Sequence, residues 1–582
     1  MKKSSITAKF LSLFLVAALL FLNAGCGLND GSKKKNYSEF LTITVYDSLA
    51  NYEGIQAGWF AQIVKDKFNM ELSIIAPNVS SDGDAAFRDR FVAGNIGDLI
   101  ICSNTGGQLQ DMVNAGLVLD MRPYLDQHSE LLQYESAIAN LNEPFNEKGK
   151  NSVYGIPTSI STEGPLTPSE SDTPDYGVYV RYDLYKELES PKIATLEDLL
   201  PLLKKMQELC PESDSGKPTY AFSMFSDWDG NMSTFAKQPC CFYGYDEQGF
   251  ALIDYSGEHV QNILDKDALY YRSLKFYNEA YKLGLVDPDS ALNNYSDVFA
   301  KTQDGQILFS PWPWLGQSAY NTEEHMSKGQ AFMFVPIEDE KIVSYGANAF
   351  GSGDVVVCAG SKAKDPERIV DFIEWLYSSE GIYVACAARN QATAGPEGLT
   401  WEATDEGPVL TEFGYNAFLK NGDIEIPGEW GNGTWAGGVC QLNFTPVAET
   451  EKDERGYLYY YDRWESVKKL DRHEIEQEWM YDYNSLSVMD YVQEHNQLGI
   501  TPATKIVNVY ESPELITIRN QCGKVITSYS WKLVFAKDDA EFESLFDEMV
   551  QKAMSYGYRE IWEFDYANAL NLGRERMKVL GI

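Results

Sequence analysis

The chain has 582 residues, with 48 Lys and Arg against 86 Asp and Glu, and its net charge of −38 argues against nucleic acid and against a basic membrane-binding face. At 44% hydrophobic and 13% aromatic it is too apolar for a disordered chain, and it is too long for a single core. Nine cysteines and five histidines are scattered without metal-ligand spacing, so neither a metal nor a cofactor is expected, and the cysteines beyond Cys26 are expected to be mostly buried free thiols.

Lys2, Lys3 and Lys9 precede an apolar run from Phe10 to Leu22, which ends in Asn23-Ala24-Gly25 and Cys26. A basic start, a short apolar core and a small-residue site make a secretory signal, and the run falls short of the roughly 20 residues a membrane span needs. Cys26 after Ala-Gly resembles the lipobox of bacterial lipoproteins, although Asn23 stands where Leu is usual. That resemblance implies a signal peptide at 1–25, a lipid on the Cys26 thiol, a tether over 26–38, and a place on the extracellular face of the cell membrane. The alternative is a secreted protein with a free N-terminal cysteine. Lys33-Lys34-Lys35 reads as part of the solvated tether.

Leu41–Tyr46 is β-branched and alternating, a strand, and a helix is expected near Gly58–Phe68. Strands follow at Met70–Ile75 and Asp98–Cys102, with a helix at Gly107–Ala115. This alternation predicts an α/β fold with a mainly parallel sheet. The Pro- and Ser-rich stretch 161–175 is a long loop, after which a second α/β segment begins at Gly177–Arg181. A strand is expected over Tyr220–Phe225. Asp365-Pro366 opens a helix with Ile369, Phe372, Ile373 and Leu376 on one face, and Phe542, Leu545, Phe546, Met549 and Ala553 repeat at helical spacing behind Asp538.

Several of these segments together resemble the extracellular solute-binding proteins of ABC importers, in their large sugar-binding family. They are Ala93–Ile100 (with Gly97 in place of the usual Pro), Ala115–Met121, Val153–Pro157 and Arg181–Leu188 with Thr195–Leu199. Lys364–Arg368 through Gly381, and Gly395–Gly398 with Trp401, continue the series in the family's order. The resemblance implies a two-lobed, type II periplasmic-binding-protein-like fold with ligand in the cleft. It places lobe one at 39–158 plus 345–395 and lobe two at 159–344 plus 396–582. It also implies a monomer that binds a carbohydrate by hinge closure and passes it to permease transmembrane subunits served by a cytoplasmic ATPase, with no catalysis.

Sugars present apolar faces and a rim of hydroxyls, so aromatic rings with a few carboxylates and amides suit them. Asp304–Trp314 resembles a ligand-binding segment of the maltose binders, which makes Trp312 the stacking candidate with Trp314 beside it; both are alternatively core residues capping a strand. Trp228 with Asp229 is a further candidate pair, or else part of a surface turn. Asp47 and Asn104 sit at strand ends where the family contacts ligand. Trp435 either reaches the cleft or packs its Gly-rich loop onto lobe two. Arg389 could pair with an acidic sugar, though a structural ion pair is the plainer reading. The family's calcium loop corresponds here to Pro211–Pro218, which has only Glu212 and Asp214 as carboxylates, so loss of that site is expected. Two other roles stay open: a sensor subunit with the same fold, and a carbohydrate-active enzyme, whose carboxylate pair sequence spacing cannot exclude.

Overall fold

The computed structural model describes residues 37–582 apart from 78, 80–82, 105, 127–128, 147–149, 171, 388–392, 421–423, 469, 471 and 506–510. The signal peptide, Cys26, nearly all of the tether and Arg389 therefore lie outside the described residues.

Strand Leu41–Asp47 pairs in parallel with Met70–Ile75 on one side and Leu99–Ser103 on the other. Their apolar runs bury both faces, as a strand between two layers of helices requires. Ser352–Ala359 then joins antiparallel beside Leu99–Ser103 and carries Ile156–Thr158, while Gly54–Ile55 closes the other edge antiparallel. The sheet is thus mixed where a mainly parallel one was expected, because the chain returns to this body at residue 352 from the opposite direction. Helix Gly58–Phe68 covers one face through Trp59, Phe60, Val64 and Phe68. Helix Pro366–Leu376 begins with the Asp365 carboxylate accepting from Arg368 N, and Ile369, Phe372, Ile373 and Leu376 are fully buried against the sheet.

A second body is built around Tyr179–Arg181, flanked antiparallel by Phe309–Ser310 and Phe332–Phe334. Helix Leu199–Leu209 packs Leu199, Leu203 and Met206 into its core. Tyr220–Phe225 does not form a strand there; Tyr220 and Phe222 make only isolated parallel bridges to Ile307 and Val286. A third core joins helix Leu269–Lys282 to Pro513–Val534, Asp539–Ser555 and Tyr558–Leu580, with the Asp538 carboxylate accepting from Glu541 N. Phe542, Phe546, Met549 and Ala553 are buried in it, and Leu545 is partly so.

One assignment changes. Residues 396–464 were expected in lobe two, yet Leu399, Trp401, Trp435, Phe444, Tyr459 and Trp464 belong to the first core. Backbone approach explains how: a Cβ on Gly58, whose φ is +75°, would lie 2.2 Å from Gly438 Cα, so this helix start and the returning loop touch main chain to main chain. The eight cysteines from Cys102 to Cys522 are free thiols, and all but Cys210 are buried.

Candidate functional site

Trp312 ends the strand at Phe309–Ser310 and precedes helix Pro313–Tyr320, with Pro313 in the first turn. The Ser310 hydroxyl donates to Trp312 O and accepts from Trp312 N, fixing the turn. Trp312 is only 4% exposed, and it stacks on half-buried Trp314 with centroids 4.8 Å apart. Trp228 reaches the same cluster from the loop after Phe225 and is 48% exposed. Its ring lies 5.7 Å from Trp314 and 6.2 Å from Trp312, and it stacks on Tyr295 at 5.3 Å. Asp227 accepts from Tyr295 N, which draws the start of helix Tyr295–Gln303 against the Trp228 loop. Phe225 and Phe235 back the cluster from below.

The cluster therefore unites Trp228, Trp312 and Trp314 and adds Tyr295, for which the sequence held no spacing signal. Asp229 lies at its edge. One carboxylate oxygen accepts from Thr234 N and the other from Trp531 Nε1, each at 2.8 Å, and burial raises its pKa.

The remaining candidates sit in the first body. Asp47 is fully buried, its oxygens accepting from Leu49 N and Asn443 N, and burial pushes its carboxyl up to about 7. Asn104 donates to Gly353 O and accepts from Leu109 N at the start of helix Gln108–Asn114. Trp435 is 5% exposed and stacks on Trp59 at 4.8 Å and 7°, with its carbonyl accepting from Trp59 Nε1. Of its two readings, packing is the one the geometry bears, and the packing is onto the first core.

Beside the aromatic cluster the chain crosses between the two bodies. Gly177 N donates to Pro311 O, so the lead-in 175–177 runs next to Trp312. Asp175 has an exposed surface, and desolvation raises its carboxyl. Burial chiefly, and the charge of Asp175 in lesser part, raises the pKa of Glu170 and Glu449. Glu170 accepts from Ser344 Oγ and Tyr345 N with one oxygen, while the other is buried without a hydrogen bond. Arg463 pairs with Glu449 at 2.5 Å, Asp462 at 3.3 Å and Asp172 at 3.7 Å, and Lys468 reaches Asp172 at 2.9 Å. Burial is the main reason that Glu449 and Asp462 titrate above the usual carboxylate range.

Among the described residues, no three His, Cys, Asp or Glu side chains come together as a metal site. Loop 211–218 is held by other means: Ser213 and Ser215 donate to Asp304, and His325 Nε2 lies 2.7 Å from Asp214. Among the described residues, no helix is long and apolar enough to cross a membrane.

A family model described as bacterial extracellular solute-binding protein matches residues 53–382. Comparison with the curated proteins gives no match. Among solved structures, the ABC-transporter substrate binding protein FusA of S. pneumoniae, in complex with kestose, is 13% identical with a TM-score of 0.58, covering 93% of this chain and 99% of its own. The alginate-binding protein AlgQ2, without calcium ion, is 13% identical with a TM-score of 0.56 over 93% and 98%. An HMO-binding solute-binding protein from Bifidobacterium longum infantis is 14% identical with a TM-score of 0.51 over 93% and 99%. At these identities the likeness is one of fold: two α/β lobes of the periplasmic-binding-protein type.

Proposed function

Because this chain belongs to the bacterial extracellular solute-binding proteins, we propose that it captures a carbohydrate, an oligosaccharide rather than a monosaccharide, between its lobes and delivers it to an ABC permease. The observation that carries this reading is the aromatic cluster, in which Trp228 offers a half-exposed ring beside Trp314 and Tyr295. An exposed indole braced by other rings is a ready platform for the C–H face of a sugar, and such a surface is costly to leave in water without use. FusA in complex with kestose, the alginate-binding protein AlgQ2 and the HMO-binding Bifidobacterium protein support a sugar as the ligand class.

In this reading Trp228 and Trp314 stack on the ligand, Trp312 braces them, and Asp229 holds the loop. Asp47 and Asn104 act by shaping the strand ends of lobe one. The protein works as a monomer without a cofactor and without turning its ligand over, anchored through a lipid on Cys26. Crossings near 158–176 and 345–352, and a third after 464, separate lobe one, with 396–464 added to it, from lobe two.

The test is intrinsic tryptophan fluorescence and thermal shift of the mature protein against a panel of oligosaccharides. The expected outcome is a raised melting point and shifted emission for a subset of sugars, with the sugar recovered intact. Turnover of the bound sugar would replace this reading with an enzyme, and silence across the panel would remove the sugar. Purification with a receptor instead of a permease would favour a sensor subunit.

A further inference from the structure

The loop that carries Trp228 is fastened on both flanks. On one side Asp227 accepts from Tyr295 N. On the other, Asp229 accepts from Thr234 N and from Trp531 Nε1, and the Thr234 hydroxyl donates to Trp228 O. Trp531 stands 302 positions beyond Asp229, on helix Pro513–Val534. Gly523, Ser530 and Trp531 fall at i, i+7 and i+8, one face of that helix, and the face meets the loop at three levels. A Cβ on Gly523 would lie 3.0 Å from Gly230 O, so helix and loop touch there main chain to main chain. Ser530 reaches the loop through Tyr270. The Ser530 hydroxyl donates to Ile526 O, so the Tyr270 hydroxyl gives its proton to Ser530 Oγ and accepts from Ser233 N. Trp531 closes the third level on Asp229.

We propose that helix Pro513–Val534 sets the pose of the sugar platform, with Trp531 as a positioning residue that holds the Trp228 ring in place through Asp229 and does not touch the ligand. The inference rests on the carbohydrate reading above and adds the element that tunes its affinity. Trp312 caps a helix and Trp314 stands in that helix's first turn, whereas Trp228 lies in a turn. Ser226, Asp227 and Gly230 around it are exposed, so the turn has few buried side chains of its own and takes its pose from these ties. A ring fixed before the ligand arrives gives up less freedom on binding, and the fastening appears as affinity. The acceptor in the Trp531 tie is a carboxylate that burial already makes harder to ionise, so loss of the indole N–H leaves a costly oxygen without its partner.

The test is calorimetric titration of the mature protein with tri- to pentasaccharides of glucose, galactose, xylose, fructose and glucosamine, the tightest of which is then titrated into variants. Trp531→Phe keeps a ring and removes the donor. The result expected is a retained melting transition, affinity weaker by about threefold or more, and faster hydrogen exchange in the peptide covering 226–234. Gly523→Ala presses a methyl group against Gly230 O and leaves every donor in place, and it should weaken binding in the same direction. In a Trp228→Ala background, Trp531→Phe should cost no further affinity, because a residue that acts through Trp228 then has nothing to act on. Unchanged affinity in folded Trp531→Phe shows a bond that serves stability alone and overturns the proposal. A full additional loss in the Trp228→Ala background shows that Trp531 contacts the sugar itself, and overturns it too. Either result leaves the carbohydrate reading standing. No binding of any sugar in the panel by the unaltered protein overturns that reading and takes this proposal with it.

Discussion

At the scale of single residues, neighbouring tryptophans have separable jobs. Trp312 is almost fully buried against Phe235 and Phe225, so Trp312→Ala leaves a cavity and should cost about 3–5 kcal/mol of stability. Trp228 is half exposed, and Trp228→Ala should cost far less stability yet weaken sugar binding by about 1.5–2 kcal/mol or more, as loss of an aromatic anchor does. Urea unfolding and calorimetry on the two variants would separate the effects; equal affinity for wild type and Trp228→Ala would remove Trp228 from the site. Glu340 makes a different demand. It is 4% exposed, neither carboxylate oxygen has a hydrogen-bond partner, and burial raises its pKa well above 4.5. The folded chain then holds a proton on Glu340 that the unfolded chain releases, so this group's contribution is fully present below pH 4.5 and is lost as pH rises through the folded value. Glu340→Gln should raise the melting point at pH 8 and leave it nearly unchanged at pH 4; no gain at pH 8 would show the carboxyl to be satisfied.

At the scale of elements, local pattern was legible and distant partnership was not. Helix Gly58–Phe68 and strand Met70–Ile75 lie where their periodicity puts them, and the Asp365-Pro366 start caps its helix, because these signals depend on residues a few positions apart. Tyr220–Phe225 has the composition of a strand and is buried from Ala221 on, but its neighbours offer it only two bridges. The segment from Leu399 to Trp464 reads as an aromatic run that must be buried, and nothing in its order says against which body. The aromatic platform was partly visible, since Trp312 and Trp314 sit in a recognisable strand end, whereas Tyr295 joins it only in three dimensions. Trp435 shows the cost of this limit: a lone tryptophan in a Gly-rich loop suits a cleft or a core equally well, and here Trp59 stacks on it. Trp435→Ala should therefore lower stability by about 3–5 kcal/mol, with sugar affinity of the folded fraction unchanged. A variant of full stability and lost affinity would return Trp435 to the cleft.

At the scale of the molecule, the bodies are joined by chain segments that lie side by side. Ser159 N donates to Thr445 O, Ser161 N to Asn348 O and Ala347 N to Thr167 O, while Gly346 N donates to Thr501 O. A Cβ at Gly346 would fall 1.9 Å from Pro165 O, so two of these backbones are in direct contact. A belt hydrogen-bonded along its length bends more easily than it shears, which favours hinge rotation of one lobe against the other. Ligand drives that rotation only through tighter binding to the closed arrangement, since equal affinity for open and closed forms shifts nothing. A sugar gripped between the platform on lobe two and the opposite lobe satisfies that condition, and one held by the platform alone does not. Small-angle scattering should then show the radius of gyration fall at saturating sugar. Trp228→Ala should need more sugar to reach the same compact end point, because its loss weakens the grip without altering the belt. An unchanged radius at full occupancy would mean that the ligand binds one lobe only, and hinge closure would have to be given up.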